Sequence, residues 1–204
     1  MSEIIFLSNV RLSFPQLVEP RSSVENGAKK FSADFLMPLA HPGVQQFGAE
    51  YMKAAQEKWK EQAQAVMSMI QGDRKLRCFG QGNDKLNGKT FKPYDGYADQ
   101  FYISANKDQM PQMIQADGSA VDPTNTMAYQ ALARKMYGGC YVNAAIRPWL
   151  QENKHGRGVR CELIAVQFAG DGEAFGEAVS DATALFKPVA AAAQAAPAFP
   201  SFLG

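Results

Sequence analysis

From Ile4 to Phe14 the apolar residues recur at every second position. Ile4, Phe6, Val10, Leu12 and Phe14 fall on one side, Asn9, Arg11 and Ser13 on the other, and Ser8 is the exception. Period-two alternation predicts a strand with one buried face. KKFSADFLMP, residues 29–38, predicts a second strand, with Phe31, Ala33, Phe35 and Met37 inward and Lys30, Ser32 and Asp34 outward. The Ser, Glu, Asn and Gly residues between the two predict a loop. The period then changes. Val44, Phe47, Tyr51, Ala55, Trp59, Ala63, Val66 and Ile70 step by three or four, while Lys53, Glu57, Lys60 and Glu61 take other faces. Pro42 near the start and Gly72 just past the end bound one long amphipathic helix, about 43–71, in which Trp59 is a packing residue.

Residues 72–99 carry Gly72, Gly80, Gly82, Gly88 and Gly96 and predict a long glycine-rich excursion. A strand over 100–107 follows, then a loop or short hairpin, then a short helix in TMAYQALARKMYGG that Gly138 and Gly139 stop. GGCYVNAAIRPW splits into two rows: Cys140, Val142, Ala144 and Ile146 to bury, and Tyr141, Asn143, Ala145, Arg147 and Trp149 on the opposite face. QENKHGRG joins it to GVRCELIAVQF as a hairpin; the second strand is apolar on both faces, so its parity is undecided. Five strands around one long and one short helix predict a mainly β fold, a closed or partly closed antiparallel barrel that leaves few exposed edges. Residues 189–204, rich in Ala and Pro, read as a flexible tail.

Composition changes this picture little, and charge more. The chain has 204 residues, 46% of them hydrophobic, and a formal net charge of +1. That sum conceals an uneven layout. Arg134, Lys135, Arg147, Lys154, Arg157 and Arg160 face a single acid, Glu152, in their stretch; Glu162, Asp171, Glu173, Glu177 and Asp181 then follow with no Lys or Arg. A basic block beside an acidic one can bind an anion locally while limiting nonspecific adhesion. Cys78, Cys140 and Cys161 have neither disulfide nor zinc spacing, which fits a reducing compartment. MSEIIFLSNVRLSF reads as a strand and not a signal peptide, and no apolar run is long enough for a membrane helix. Neither a metal nor a cofactor is called for, and no membrane.

Candidate catalytic groups are sparse. His41 and His155 sit in turn-like sequence without a metal or nucleophile context. GQGNDKLNGKTF ends like a phosphate loop, but Asn83 stands where that loop needs glycine, and Pro93 follows where its helix should begin. Asp95, Asp99 and Asp108 share no face. Binding remains, and no enzyme activity is expected. Single-stranded nucleic acid presents phosphates to Lys and Arg and base faces to aromatic rings. The row Tyr141, Asn143, Arg147, Trp149 has both kinds of partner; the pattern equally allows the helix or the excursion to cover it, and a bend at Pro148 to turn Trp149 inward.

GGCYVNAAIRPW, GVRCELIAVQFAGDGEAFG and FKP, with FLSNVRLSFPQL and KKFSADFLMP upstream, resemble a family of bacteriophage single-stranded-DNA-binding proteins built on an OB-fold, over about residues 4–188. The resemblance implies an OB-fold domain over 1–188, carrying the helical insertion and the excursion, that coats and protects single strands in phage DNA replication, recombination or repair in the cytoplasm of the infected bacterial host. Face and charge assign a groove wall to Arg11, Lys30, Tyr102, Tyr141, Asn143, Arg147 and Trp149, a cover to Lys89, Phe91, Lys92 and Tyr94, and phosphate contacts to Arg157 and Arg160. One departure stands out: nothing after Asp181 is acidic, unlike the acidic tails of many such proteins. Phe199, Phe202 and Leu203 are then the expected hook for phage or host replication and recombination proteins. The rival readings are a strand-annealing recombination protein, an RNA-binding protein and a phage structural protein that binds no nucleic acid.

Overall fold

The computed structural model describes residues 2–22, 27–154 and 156–176. Its elements are β1 (Ile5–Arg21), β2 (Lys30–Met37), α1 (Pro42–Trp59), α2 (Ala63–Gly72), β3 (Phe79–Gln81), β4 (Phe101–Lys107), β5 (Gln112–Ile114), α3 (Thr126–Lys135), β6 (Tyr141–Asn153) and β7 (Gly156–Gly170). His155 and the tail with Phe199, Phe202 and Leu203, expected above as a loop residue and a partner hook, lie outside the described residues.

β1, β2, β4, β7 and β6 close into the five-stranded barrel, and β3 and β5 are two extra strands on β4 and β7. Within the barrel, neighbours are antiparallel except at the closure, where β4 meets β7 in parallel with Asn106 opposite Glu162; the extra strand β5 also runs parallel to β7. The barrel expected from the sequence is present, and its closing pair is parallel because the chain reverses twice between β5, which runs in the direction of β4, and β7. Ile5, Leu7, Val10, Leu12, Phe35, Ile103, Val142, Ile146, Val159 and Leu163 are all fully or almost fully buried inside it.

The register of β1 also departs from the expected alternation. Leu7 pairs with Ala144 but Val10 with Val142, so β1 carries an extra residue, and Asn9 takes a left-handed backbone (φ 53°) there. The bulge flips the parity between Leu7 and Val10. Ile5 and Leu7 therefore point inward, and Ile4 and Phe6 outward, Phe6 at 59% exposure. A second shift after Ser13, with Phe14 at φ 46°, leaves the Phe14 ring half exposed.

The long helix forms over Pro42–Gly72, interrupted by one 3-10 turn at Lys60–Gln62. Lys60 takes φ 47°, so the ladder breaks there and the axis can bend around the barrel. Its apolar stripe, including Phe47, Ala55, Trp59, Val66 and Ile70, joins the core. His41 caps α1: Nδ1 accepts from the Gly43 N–H at 3.0 Å, so the proton sits on Nε2, which lies 2.9 Å from the Ser8 carbonyl. The histidine is thus a clip between β1 and α1.

The excursion folds back over the outer face of β2 and β4. Tyr97 is fully buried against Leu36 and Tyr102, with Tyr94 and Phe175 packed around them as a second small core. Burying such a ring stabilises by about 1.5–3 kcal/mol. The last described segment, 171–176, runs as a strap across the start of β6, where the Phe175 N–H donates to the Gly138 carbonyl at 2.8 Å. Two glycines permit it. A Cβ on Gly139 (φ 108°) would fall 2.1 Å from the Glu173 carbonyl oxygen, and one on Gly96 (φ 78°) 2.2 Å from the Phe175 ring.

Candidate nucleic-acid interface

Along β6 the two rows separate as the alternation requires. Cys140, Val142, Ala144, Ile146 and Pro148 are buried, while Tyr141, Asn143, Arg147 and Trp149 point out of the barrel. Pro148 introduces no bend into the core, and the Trp149 indole stays 43% exposed. β7 resolves its parity in the same way, Val159, Cys161 and Leu163 inward and Arg160 and Glu162 outward, opposite Trp149 and Arg147.

Three adjoining hollows form one trough over this outer surface. The first, about 590 Å³, has Phe14, Ser32, Asp34 and Ser104 in its walls; it shares Lys30 and Asn106 with the second, about 470 Å³. The second adds Lys107 and Glu162 and shares Arg147 and Trp149 with the third, about 320 Å³, which reaches Lys58 on α1. An exposed aromatic ring therefore stands near each end, Phe14 and Trp149, with Lys30, Lys107 and Arg147 between them. Ion pairs fix these cations: Lys30 to Asp108 at 3.4 Å, and Lys107 and Arg147 to the two oxygens of Glu162 at 3.1 and 3.5 Å.

Of the residues assigned from the sequence, Lys30, Arg147 and Trp149 are thus brought together. Lys89, Phe91, Lys92 and Tyr94 share the excursion hairpin closed by the Leu86–Pro93 bridge, with Lys89 and Lys92 exposed and Phe91 78% exposed. The hairpin base flanks the first hollow: Tyr94 packs edge-on against Phe14 at 5.0 Å, and Lys85 pairs with Asp34, which also accepts from the Tyr97 hydroxyl. Arg160 lies beside Trp149 with its guanidinium held by the Gln151 side chain and the Lys75 carbonyl, each at 3.0 Å.

The remaining assigned residues are each engaged by what surrounds them. Tyr102 does point outward, but the excursion covers it to 7% exposure, and burial raises its phenol pKa. It is a packing residue and no open platform. Arg11 is sandwiched between the Tyr141 ring at 5.1 Å and the Phe175 ring at 4.7 Å, and donates to the carbonyls of Gly139 and Glu173. Arg11 and Tyr141 therefore hold the strap. Asn143 accepts from the Asn9 N–H and donates to Gln167, both at 2.8 Å, which commits its amide to the bulge. Arg157 turns toward the α1–α2 junction, bonded to Glu152 at 2.8 Å and Gln62 at 3.1 Å with Trp59 beneath it.

Phe14, Asn106 and Lys107 are the trough residues that the sequence reading passed over. Ser8, the polar residue in an otherwise apolar row, was the available sign that the register of β1 changes. Lys107 continues the inward row of Ile103 and Ala105, yet lies at the strand's end where the chain leaves the core. Among the described residues no group of three His, Cys, Asp or Glu side chains could hold a metal ion, and no helix is long and apolar enough to cross a membrane.

Comparison with known proteins identifies the family and the fold. The family model described as Enterobacter phage Enc34, ssDNA-binding protein, matches residues 3–196. Protein p50 of Acyrthosiphon pisum secondary endosymbiont phage 1 is 34% identical over 173 residues, 84% of this chain and 85% of that one. The solved complex of the bacteriophage Enc34 single-stranded DNA-binding protein with ssDNA superposes with a TM-score of 0.66 at 26% identity, over 85% of this chain and 89% of that one. The bacteriophage T7 single-stranded DNA binding protein gp2.5, at 11% identity and a TM-score of 0.51 over 92% of this chain and 96% of that one, shares the fold. With an OB-fold barrel and a family model that spans nearly its whole length, the chain belongs to the phage single-stranded-DNA-binding protein family typified by Enterobacter phage Enc34.

Proposed function

We propose that this protein binds single-stranded DNA without sequence preference along the trough, with no catalytic step. The carrying observation is the continuity of the three hollows, with Phe14 and Trp149 near the ends and Lys30, Lys107 and Arg147 between them. Rings can stack on any base, and each stacked base contributes about 1–3 kcal/mol. Lysine and arginine contact the phosphates, which carry no sequence. Lys89, Phe91, Lys92 and Tyr94 close over the strand from the excursion hairpin. Residues 1–188 act as the binding domain, and residues 189–204, with Phe199, Phe202 and Leu203, contact phage or host replication and recombination proteins. The strand-coating role belongs to phage DNA replication, recombination or repair in the host cytoplasm.

The test is a salt titration against labelled oligo(dT), oligo(U) and duplex. Salt-sensitive preference for oligo(dT) supports the reading, and binding to none of them at low salt defeats it. Trp149→Ala should weaken binding by about 1–3 kcal/mol, and Arg147→Ala should flatten the salt slope by roughly 0.7. Two folded variants that bind like wild type would place the site elsewhere.

A further inference from the structure

Glu162 sits in the middle of the trough, where a binding site for a polyanion has least use for a negative charge. Its Oε1 lies 3.1 Å from the Lys107 ammonium and its Oε2 3.5 Å from an Arg147 guanidinium nitrogen. The three side chains are each about one-third exposed or less and line the same hollow. Asp108, by contrast, is far more exposed and holds Lys30 alone. The backbone of Glu162 is fixed by its pairing with Asn106 at the barrel closure, so the carboxylate can swing aside without leaving the site.

A carboxylate bridging two cations through separate oxygens has the contact pattern of a phosphodiester group with its two anionic oxygens. We infer that Glu162 is a built-in competitor: it occupies the place of a backbone phosphate between Lys107 and Arg147 and is displaced when a strand enters. This rests on the single-stranded-DNA reading. The carboxylate keeps the two cations apart and oriented in the free protein. It lowers affinity for any polyanion that fails to reach both, and it takes up a counterion when freed. The displaced acid therefore offsets part of the counterion release that makes nucleic-acid binding salt-dependent.

The experiment uses the full chain and oligo(dT), comparing wild type with Glu162→Gln, which keeps the shape and removes the charge. Binding by the wild type shows that the functional reading stands whatever the variant does. Glu162→Gln is expected to bind roughly three- to tenfold more tightly at low salt, with a salt slope steeper by up to about 0.7. Equal or weaker binding by a folded variant overturns the competitor assignment, because a strut that merely positions the cations would lose affinity when removed. The same substitution in a Lys107→Gln, Arg147→Gln background should gain little. An equal gain there would be a long-range charge effect and would also overturn the inference. Should the amide perturb folding, Glu162→Ser is read by the same criteria.

Discussion

The Asn143 amide acts on three strands at once. It receives the Asn9 N–H that the β1 bulge pushes out of the ladder, and donates to Gln167, whose own amide reaches the Gln115 carbonyl at 3.2 Å. Asn143→Ala should leave the Asn9 N–H and Gln167 to water and cost about 1–1.5 kcal/mol, the net worth of exposed and half-buried hydrogen bonds. For a chain of this size that is a fall in melting temperature of roughly 2–6 °C. A melting curve within about a degree of wild type would show that the relay adds nothing. Periodicity had placed Asn143 on the correct face of β6. It could not show that the residues across from it were a bulge amide and a glutamine, because neighbours on a sheet come from register and not from one strand's pattern. Arg11 and Tyr141 were hidden from view in the same way. They lie on the outward face, but the strap at 171–176 arrives from a distant part of the sequence.

At the scale of elements, the excursion is what the sequence describes least and the barrel depends on strongly. Lys85 reaches down from it to Asp34 on β2, and its ammonium lies 5.9, 5.3 and 4.6 Å from the ring centres of Phe14, Tyr97 and Tyr102. An ammonium in such a cage gains from the ring faces as well as from the carboxylate. Removing one partner of a buried pair leaves the other charge uncompensated, so Lys85→Met should destabilise by about 3 kcal/mol or more. Adding Asp34→Asn removes that stranded charge while keeping an acceptor for the Tyr97 hydroxyl, and the double variant should recover part of the loss. A double variant less stable than the single would refute the latch. The five barrel strands were readable from period, and the long helix from period with Pro42 and Gly72, to within a residue or two; but β1 runs on to Arg21 through a stretch that reads as loop, and β3 and β5, of three residues each, are too short to show a period. The phase of β1 was not readable: a bulge shifts parity without changing composition, and only Ser8 in the apolar row betrayed it. That shift turns Phe6 to the surface, and the second one, after Ser13, brings Phe14 to the wall of the trough.

The molecule as a whole closes its barrel without a disulfide, and its three cysteines are all buried free thiols. Burial, the leading cause at each, pushes Cys78 from an ordinary 9.0 up to about 12 and Cys140 up to about 11, and raises Cys161 well above the ordinary thiol range. The Tyr97 phenol rises for the same reason, reinforced by the Asp34 carboxylate beside it, and Tyr129 rises to about 12. In every case the folded state holds the proton more tightly than the unfolded chain does. Above about pH 9 the unfolded chain binds fewer protons than the native state, so stability must fall as pH rises. The contribution of these groups is complete below the unfolded pKa and is lost as pH climbs through the folded values. Melting temperatures should therefore decline continuously from about pH 9 upward, with the thiols unreactive toward an alkylating reagent until the protein unfolds. Fast labelling of the native protein near neutral pH, or a melting temperature flat into the alkaline range, would show that the core around the β4–β7 closure is open to water. That closure is also the floor of the trough, since Asn106 and Glu162 pair there, so a tight core and a rigid binding surface stand or fall together.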